Sequence, residues 1–373
     1  MKCSYFSRDV SDQLKGIALV LMFVHHFFTF PDWITCGINY SWIQNFAIQF
    51  CAPTDICVCL FAFLNGYFYY FSKGTISYSL RKITDFLLSY WLTCIPLMLL
   101  AVLTGCYTLS KTGVLSELMG LQNTVMSFCW YVNFFCIILL LLPILARKQS
   151  QSPMMDLLIL LVIPTVALNL WQALDMNAVR SAVAWNLRQW YPCVAVGYLF
   201  AKYELFTRWF DGFAGESRTP RTYVRGLVCA VLVWAAFRGR YYIQGINLGS
   251  VTFRGGEFLI MLTEDVLFAP MFLYGGANLL RMAKNTVVAN LLGKIGKRSM
   301  FMWFYHCIFF NCCKSYTQIV LYFPRNPVLV LVNGLILCYA AAVLTEPVQR
   351  ALILQKDRLC RWVAGRIPVS LGK

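Results

Sequence analysis

Ten long apolar runs, separated by short polar segments, follow one another along the chain. A helix that crosses a bilayer needs roughly 20 largely apolar residues, which is about the length of each run. The pattern therefore predicts an all-α, polytopic membrane bundle of about ten transmembrane helices. The predicted spans are 14–31, 54–72, 84–106, 127–146, 156–174, 185–203, 223–240, 257–280, 298–322 and 327–350.

Composition agrees with a membrane protein. The 373 residues are 59% apolar and 13% charged, which is more apolar surface than a soluble protein of this length can hide. A net charge of +16 would suggest nucleic acid in a soluble domain. Here the basic residues form short clusters between apolar runs, which favours contact with lipid headgroups. We therefore expect a lipid bilayer as partner and no nucleic acid.

Loop charges predict the orientation. About three quarters of the 32 Lys and Arg residues fall on segments that share a side with the N-terminus, and such segments usually face the cytoplasm. Both termini are therefore predicted to be cytoplasmic. The first run follows Lys2 and Arg8 but lacks a small-x-small cleavage site, so we expect a retained helix rather than a signal peptide. Residues 1–373 are expected to form a single membrane-embedded domain.

Prolines and cysteines within the runs modify this picture only slightly. Pro96, Pro164 and Pro192 must each kink a helix or leave backbone groups that neighbouring helices satisfy. Most of the 16 cysteines lie in apolar runs, where cysteine behaves as a small hydrophobic residue. None has the paired spacing of a metal site, so no metal is expected.

The histidines are the most unusual residues of the runs. Only three occur, and two of them, His26 and His306, lie about 18 Å and 12 Å along their predicted helices. Polar groups at such depth usually face the bundle interior or a water-filled cavity. The two imidazoles are therefore predicted to line one cavity, where one of them can serve as a general base. The alternative is that each merely hydrogen-bonds a neighbouring helix.

Several cations lie where an anionic ligand would meet the inner membrane surface. Lys15 precedes His26 by three helical turns, so the two share one helix face. Arg81 and Lys82 begin the third predicted helix. Phosphate binding is one interpretation. Snorkelling of Lys15 and positive-inside anchoring of the arginine–lysine pair are the alternatives.

Polar residues also occur towards the predicted outer side. Asp265, next to Glu264, is deep for a carboxylate, and it is expected to pair with an arginine such as Arg188 or to orient a histidine. A purely structural ion pair is the alternative. Trp130 lies near the outer boundary, where tryptophans commonly form the interfacial belt.

Six segments in order resemble the acyltransferase 3 family of membrane acyltransferases. The first, SDQLKGIA running on to HH, resembles the family's first-helix signature, which places the essential histidine on His26, with Lys15 where many members have arginine. The others are FAFLNGY at 61–67, YSLRKI at 78–83, WY at 130–131 with PIL at 143–145, VGY at 196–198 with Lys202, and GKRS to YH at 296–306, before the closing Glu346-Pro347. Without a hydrolase-like domain after the tenth helix, the chain resembles the family's stand-alone form.

The resemblance implies transfer of an acyl group, most often acetyl, from cytoplasmic acyl-CoA to a hydroxyl of a cell-surface glycan or lipid-linked sugar. It implies His26 as general base, with His306 and Asp265 orienting it. Lys15, Arg81 and Lys82 would bind acyl-CoA, which is a co-substrate rather than a cofactor, and Arg188 and Trp130 would bind the acceptor. The expected location is the bacterial plasma membrane.

Two other classes of function compete with this interpretation. A transporter or flippase of a lipid-linked saccharide needs a polar path but no base, although the internal repeat expected of it is absent. A glycan polymerase would present a large outer loop, and none here is long enough. The acceptor, the acyl chain, an acyl-enzyme or carrier intermediate and the oligomeric state stay open.

Overall fold

The computed structural model describes residues 4–36, 50–72, 74–147, 152–174, 178–210, 220–245 and 254–364, and within these ranges all regular structure is helical. The first half contains α1 (Arg8–Phe28), α2 (Ile56–Tyr70), α3 (Ile76–Leu103), α4 (Lys111–Leu118), α5 (Trp130–Arg147), α6 (Pro153–Leu157) and α7 (Ile163–Leu174). The second half contains α8 (Ala178–Lys202), α9 (Leu205–Phe210), α10 (Pro220–Gly245), α11 (Arg254–Met282), α12 (Val287–Lys297), α13 (Ser299–His306), α14 (Lys314–Tyr322) and α15 (Pro327–Ala364).

Four helices of the described ranges are long and apolar enough to cross a membrane, namely 76–103, 153–171, 222–242 and 327–362. Shorter apolar helices cover 130–146, 266–282 and 299–310. The protein is thus an all-helical integral membrane protein. The total of ten crossings and the cytoplasmic termini stay predictions.

Polar side chains mark where several helices begin. A hydroxyl that precedes a helix accepts a hydrogen bond from a backbone N–H of the first turn, which otherwise lacks a partner. Such caps begin α1, α3, α4 and α12, and the residues are Ser7, Thr75, Ser110 and Thr286. The helix boundaries thus follow local sequence chemistry.

The helix that contains Pro164 shows how a proline is accommodated. A single π turn, Leu158–Val162, joins α6 to α7 immediately before Pro164. Proline has no N–H to donate to the carbonyl four residues earlier, which is that of Leu160. The hydroxyl of Tyr191 on α8 donates to this carbonyl instead. The expectation that a neighbouring helix satisfies the backbone is confirmed here.

Glycines allow α1 and α12 to touch through their backbones. A Cβ added to Gly16 would lie 2.1 Å from the carbonyl oxygen of Leu292, and one added to Gly296 would lie 1.6 Å from that of Asp12. Only glycine permits such close helix contact. Because α13 follows α12 directly, this crossing brings His306 beside α1. Gly66 and Gly197 make a similar crossing between α2 and α8.

The ninth predicted span does not form one helix. Residues 298–322 comprise α13, a 3₁₀ turn over Cys307–Phe310, an extended Asn311 and then α14. The hydrophobicity of the segment is compatible with a continuous helix, but Ser127 and Thr124, from the segment before α5, bond to the interrupted backbone. The interruption begins at the residue after His306.

Helix α14 holds the chain that leaves α1. The buried side chain of Gln318 accepts a hydrogen bond from the backbone N–H of Thr35 (2.7 Å) and donates to the carbonyl of Trp33 (2.7 Å). The hydroxyl of Tyr322 donates to the carbonyl of Phe27 (2.9 Å). These bonds fix the end of α1 near the interrupted segment.

The crossing between α1 and α12 is testable with two glycine variants of one helix. Gly296→Ala is expected to lower the free energy of unfolding by about 1–3 kcal/mol, because the added methyl group clashes with backbone rather than with a movable side chain. Gly293→Ala is the matched control, since its Cβ would meet only Gln13 Cγ at an ordinary 3.6 Å. Unfolding in detergent measures both. Equal stability of the two variants would contradict the described packing.

Candidate functional site

Two histidines that lie 280 residues apart form a hydrogen bond in the interior of the bundle. Nδ1 of His26 lies 2.7 Å from Nε2 of His306, and their rings are nearly coplanar, at 5°. His306 is fully buried, whereas His26 keeps partial exposure. The predicted meeting of the two imidazoles is therefore observed, and His26 is the more exposed of the two.

A backbone carbonyl determines which nitrogens carry protons. Nδ1 of His306 is hydrogen-bonded to the carbonyl oxygen of Trp303, which can only accept. In a neutral pair, Nδ1 of His306 must therefore carry the proton and Nε2 must accept, so Nδ1 of His26 donates. The lone pair of His26 then lies on Nε2. Among the described residues, this atom makes no hydrogen bond.

Phe128 fixes the plane of the His26 ring. Its ring stacks on the imidazole with centroids 4.0 Å apart and planes at 10°. Phe128 has φ +63°, a conformation that costs a residue with a side chain about 1–2 kcal/mol and that persists only where surrounding contacts impose it. With Phe128 above the ring and His306 at its edge, the direction of the Nε2 lone pair is set.

Hydrogen bonds from a distant segment of the same chain hold the interrupted helix after His306. The Phe310 carbonyl accepts from the hydroxyl of Ser127, and the N–H of Cys312 donates to the carbonyl of Thr124 (3.1 Å). Irregular backbone at membrane depth is stable only when protein or water satisfies it. The segment before α5 therefore supports both the break and the histidine pair.

A family comparison identifies the chain's class. The family model for an acyltransferase domain, acyltransferase 3, matches residues 9–346. The chain belongs to the acyltransferase 3 family. No curated protein and no solved structure matches the chain significantly. Together with the apolar helices, membership shows a membrane acyltransferase. The match covers nearly the whole chain, including both histidines of the pair.

In this acyltransferase, Lys15 lies eleven residues before His26, about 16 Å lower along α1. Its ammonium is 3.3 Å from a carboxylate oxygen of Asp12 and 5.9 Å from the ring centre of Phe68. The predicted stripe of Lys15 and His26 on one helix is present. The role of Lys15 towards acyl-CoA stays a prediction.

Arg81 and Lys82 are exposed at the start of α3. Arg81 forms an ion pair of 2.7 Å with Asp357 on α15, and Lys82 lies 5.8 Å from the ring centre of Tyr78. Lys356 joins the group by pairing with Asp85 and Asp357. The basic start of α3 is thus bound to α15 through Arg81 and Asp357. The sequence around Arg81 does not indicate this partner.

The predicted acceptor residues lie on α5 and α8. Trp130 stacks on Trp190 with ring centres 6.2 Å apart, and Arg188 is partly buried two residues earlier on the same helix. Trp130 follows Phe128, which stacks on His26, by two residues. The side chain of Asp265 lies outside the described part of the structure, so its role stays a prediction.

Sequence reasoning missed the residue that stacks on His26. Phe128 lies inside an apolar run that also contains Phe134 and Phe135, and nothing in its type distinguishes it. Its positive φ is imposed by tertiary contacts. A turn signal such as glycine or asparagine, which would have marked the position, is not present there.

The protonation pattern of the pair is testable by ¹⁵N NMR of the protein labelled at its three histidines. His26 and His306 are expected to show the neutral Nδ1–H form, because the Trp303 carbonyl orders both rings. In His306→Ala, His26 should lose this preference and show both neutral forms. His25 serves as an internal reference, since it does not join the pair. A wild-type His26 protonated at Nε2 would contradict the proposed order.

Proposed function

We propose that the protein transfers an acyl group, most often acetyl, from cytoplasmic acyl-CoA to a hydroxyl of a cell-surface glycan or lipid-linked sugar. One observation carries the proposal, namely that His306, itself bonded to the Trp303 carbonyl, holds Nδ1 of His26, which leaves the lone pair of a neutral His26 on Nε2. A positioned neutral imidazole is a common general base for a hydroxyl nucleophile. Family membership supports an acyl donor and an acceptor.

The chemistry balances with these groups alone. Nε2 of His26 takes the proton of the acceptor hydroxyl, and the oxygen of that hydroxyl attacks the thioester carbonyl carbon. The tetrahedral intermediate collapses, the C–S bond breaks, and the CoA sulfur leaves with the proton that His26 returns. The positive charge on His26 during this cycle is stabilised by its Nδ1–H donating to His306. The products are the acyl ester and free CoA.

Cations near one end of the bundle support a donor site there. Lys15 would bind a phosphate of CoA from α1, and Arg81 with Lys82 would do so from α3. The thioester arm would then run about 16 Å along α1 to His26. This direction agrees with the predicted topology of ten crossings, in which both termini are cytoplasmic. The donor would then bind on the cytoplasmic side of a bacterial plasma membrane.

The other end supports the acceptor. Arg188 would donate hydrogen bonds to sugar hydroxyls, and Trp130 would offer an aromatic face near the segment that contacts His26. Asp265, on the same side of the predicted topology, would orient a histidine or an arginine. Acceptor and donor would then approach His26 from opposite membrane surfaces.

The proposed base is testable by comparing two adjacent histidines. Purified protein in vesicles is given radiolabelled acetyl-CoA and candidate glycans, and labelled ester is counted. His26→Ala should lower kcat by about 10²–10⁴-fold, as expected when a general base is lost. His25→Ala is the control, because His25 contacts Thr29 at 3.4 Å rather than His306.

Equal activity of His26→Ala and His25→Ala, with both proteins folded, would contradict a catalytic role for His26. Movement of a lipid-linked saccharide across the vesicle without labelled ester would instead indicate a flippase.

The donor site is testable by charge reversal at α3. Arg81→Glu combined with Lys82→Glu should raise the KM for acyl-CoA by about tenfold or more, because charge-assisted phosphate contacts are lost. Asp357→Asn is the control, since it removes the same ion pair but keeps both cations. It should leave KM unchanged or lower it. An equal rise in KM for the control would show that only the helix contact matters.

A further inference from the structure

A buried carboxylate lies in the short hairpin between α3 and α5. Glu117, on α4, is fully buried. One of its carboxylate oxygens accepts hydrogen bonds from the backbone N–H groups of Thr124 (2.9 Å) and Val125 (3.2 Å). Burial of a charge is costly unless it is hydrogen-bonded. Two N–H groups converge on one oxygen, so the carboxyl group and the backbone at Thr124 and Val125 hold each other in place.

Helix α4 is itself fixed to the membrane-spanning α3. The hydroxyl of Tyr90 donates to the backbone carbonyl of Glu117 (2.8 Å), and the indole N–H of Trp91 donates to that of Leu118 (2.8 Å). Burial raises the pKa of the Tyr107 phenol, and the nearby Glu117 carboxylate raises it further. The carboxylate is thus held at a defined place by its helix rather than by a flexible loop.

The segment that Glu117 holds leads directly to the histidine pair. Phe128 follows Val125 by three residues and stacks on His26. Thr124 donates its N–H to Glu117 and accepts with its carbonyl from Cys312 beyond the helix break. A chain of three contacts therefore runs from the carboxylate through Thr124–Val125 and Phe128 to the ring of His26.

The conformation of Phe128 explains why such an anchor is needed. At φ +63° the residue is in the left-handed region, which a side chain disfavours and which only external contacts maintain. If the segment relaxed to an ordinary backbone, the aromatic ring would leave the imidazole. His26 would then be free to rotate about its bond to the backbone, apart from its bond to His306.

We propose that Glu117 is a positioning residue for acyl transfer, which holds Thr124 and Val125 so that Phe128 fixes the plane of the His26 ring. This role rests on the proposed function, in which His26 is the base. Glu117 touches no reacting atom and acts through the backbone it anchors. Its effect is therefore on the chemical step and not on binding of acyl-CoA at the other end of the bundle.

The test compares two replacements of the carboxylate. Glu117→Ala should lower kcat by about tenfold to a hundredfold, as small misplacements of catalytic groups do, while the KM for acetyl-CoA stays unchanged. Glu117→Gln should restore most of the kcat, because its amide oxygen can still accept both N–H bonds. Gln122→Ala, an exposed position of the same hairpin, should behave as wild type.

A second variant covers the case in which Glu117→Ala fails to fold. Phe128→Gly removes the ring, and glycine adopts the required positive φ without strain, so the fold should be kept. Its kcat should fall to a similar extent as in Glu117→Ala. A wild-type kcat for Phe128→Gly, or for a folded Glu117→Ala, would overturn the proposal.

A readout without activity separates this proposal from the proposed function. In Glu117→Ala and Phe128→Gly, the ¹⁵N signals of His26 should shift, whereas Glu117→Gln should retain the wild-type signals. Unchanged His26 signals in a folded Glu117→Ala would overturn the positioning role. If His26→Ala keeps full activity, the proposed function fails, and these signals still decide whether Glu117 positions the ring.

Discussion

The candidate site depends on one hydrogen bond between imidazoles that come from opposite ends of the chain. The bond joining His26 to His306 requires α1 and α13 to lie in contact, and backbone contact at Gly16 and Gly296 permits it. Two of the segments that resemble the family, the one from Ser11 to His26 and the one at 296–306, thus contain both the glycines of the helix crossing and the two histidines. A bulkier residue at either glycine would separate the same helices that the site needs together.

Backbone groups at the helix break near the site have partners from another segment of the chain. The break after His306 exposes peptide groups at a depth where lipid offers them no partner. Ser127 and Thr124, from the segment before α5, satisfy them. Because this segment also contains Phe128, the stability of the break and the orientation of His26 depend on the same few residues. The interruption is therefore part of the site and not a defect in a spanning helix.

The cations at the other end serve the fold even before any ligand is considered. Arg81 on α3 pairs with Asp357 on α15, and Lys356 on α15 pairs with Asp85 on α3. Arg298, which immediately precedes α13, pairs with Glu346 on α15 at 3.3 Å. Surface ion pairs contribute little stability singly. Their value here is that they set which helices adjoin, while an exposed guanidinium such as that of Arg81 can still exchange its carboxylate for a phosphate.

The sequence by itself determined the membrane character, the positions of most helices and the two unusual histidines, because exposing long apolar runs to water and placing polar groups in lipid each carry a large free-energy cost. It also indicated the family through ordered short motifs. It did not reveal the break within 298–322, the pairing of Arg81 with Asp357, or the roles of Phe128 and Glu117. Those features depend on contacts between distant segments, on backbone groups that every residue shares, and on a φ value that surrounding packing imposes. Hydrophobicity and spacing along one helix contain no information about such contacts, so only the tertiary structure decided them.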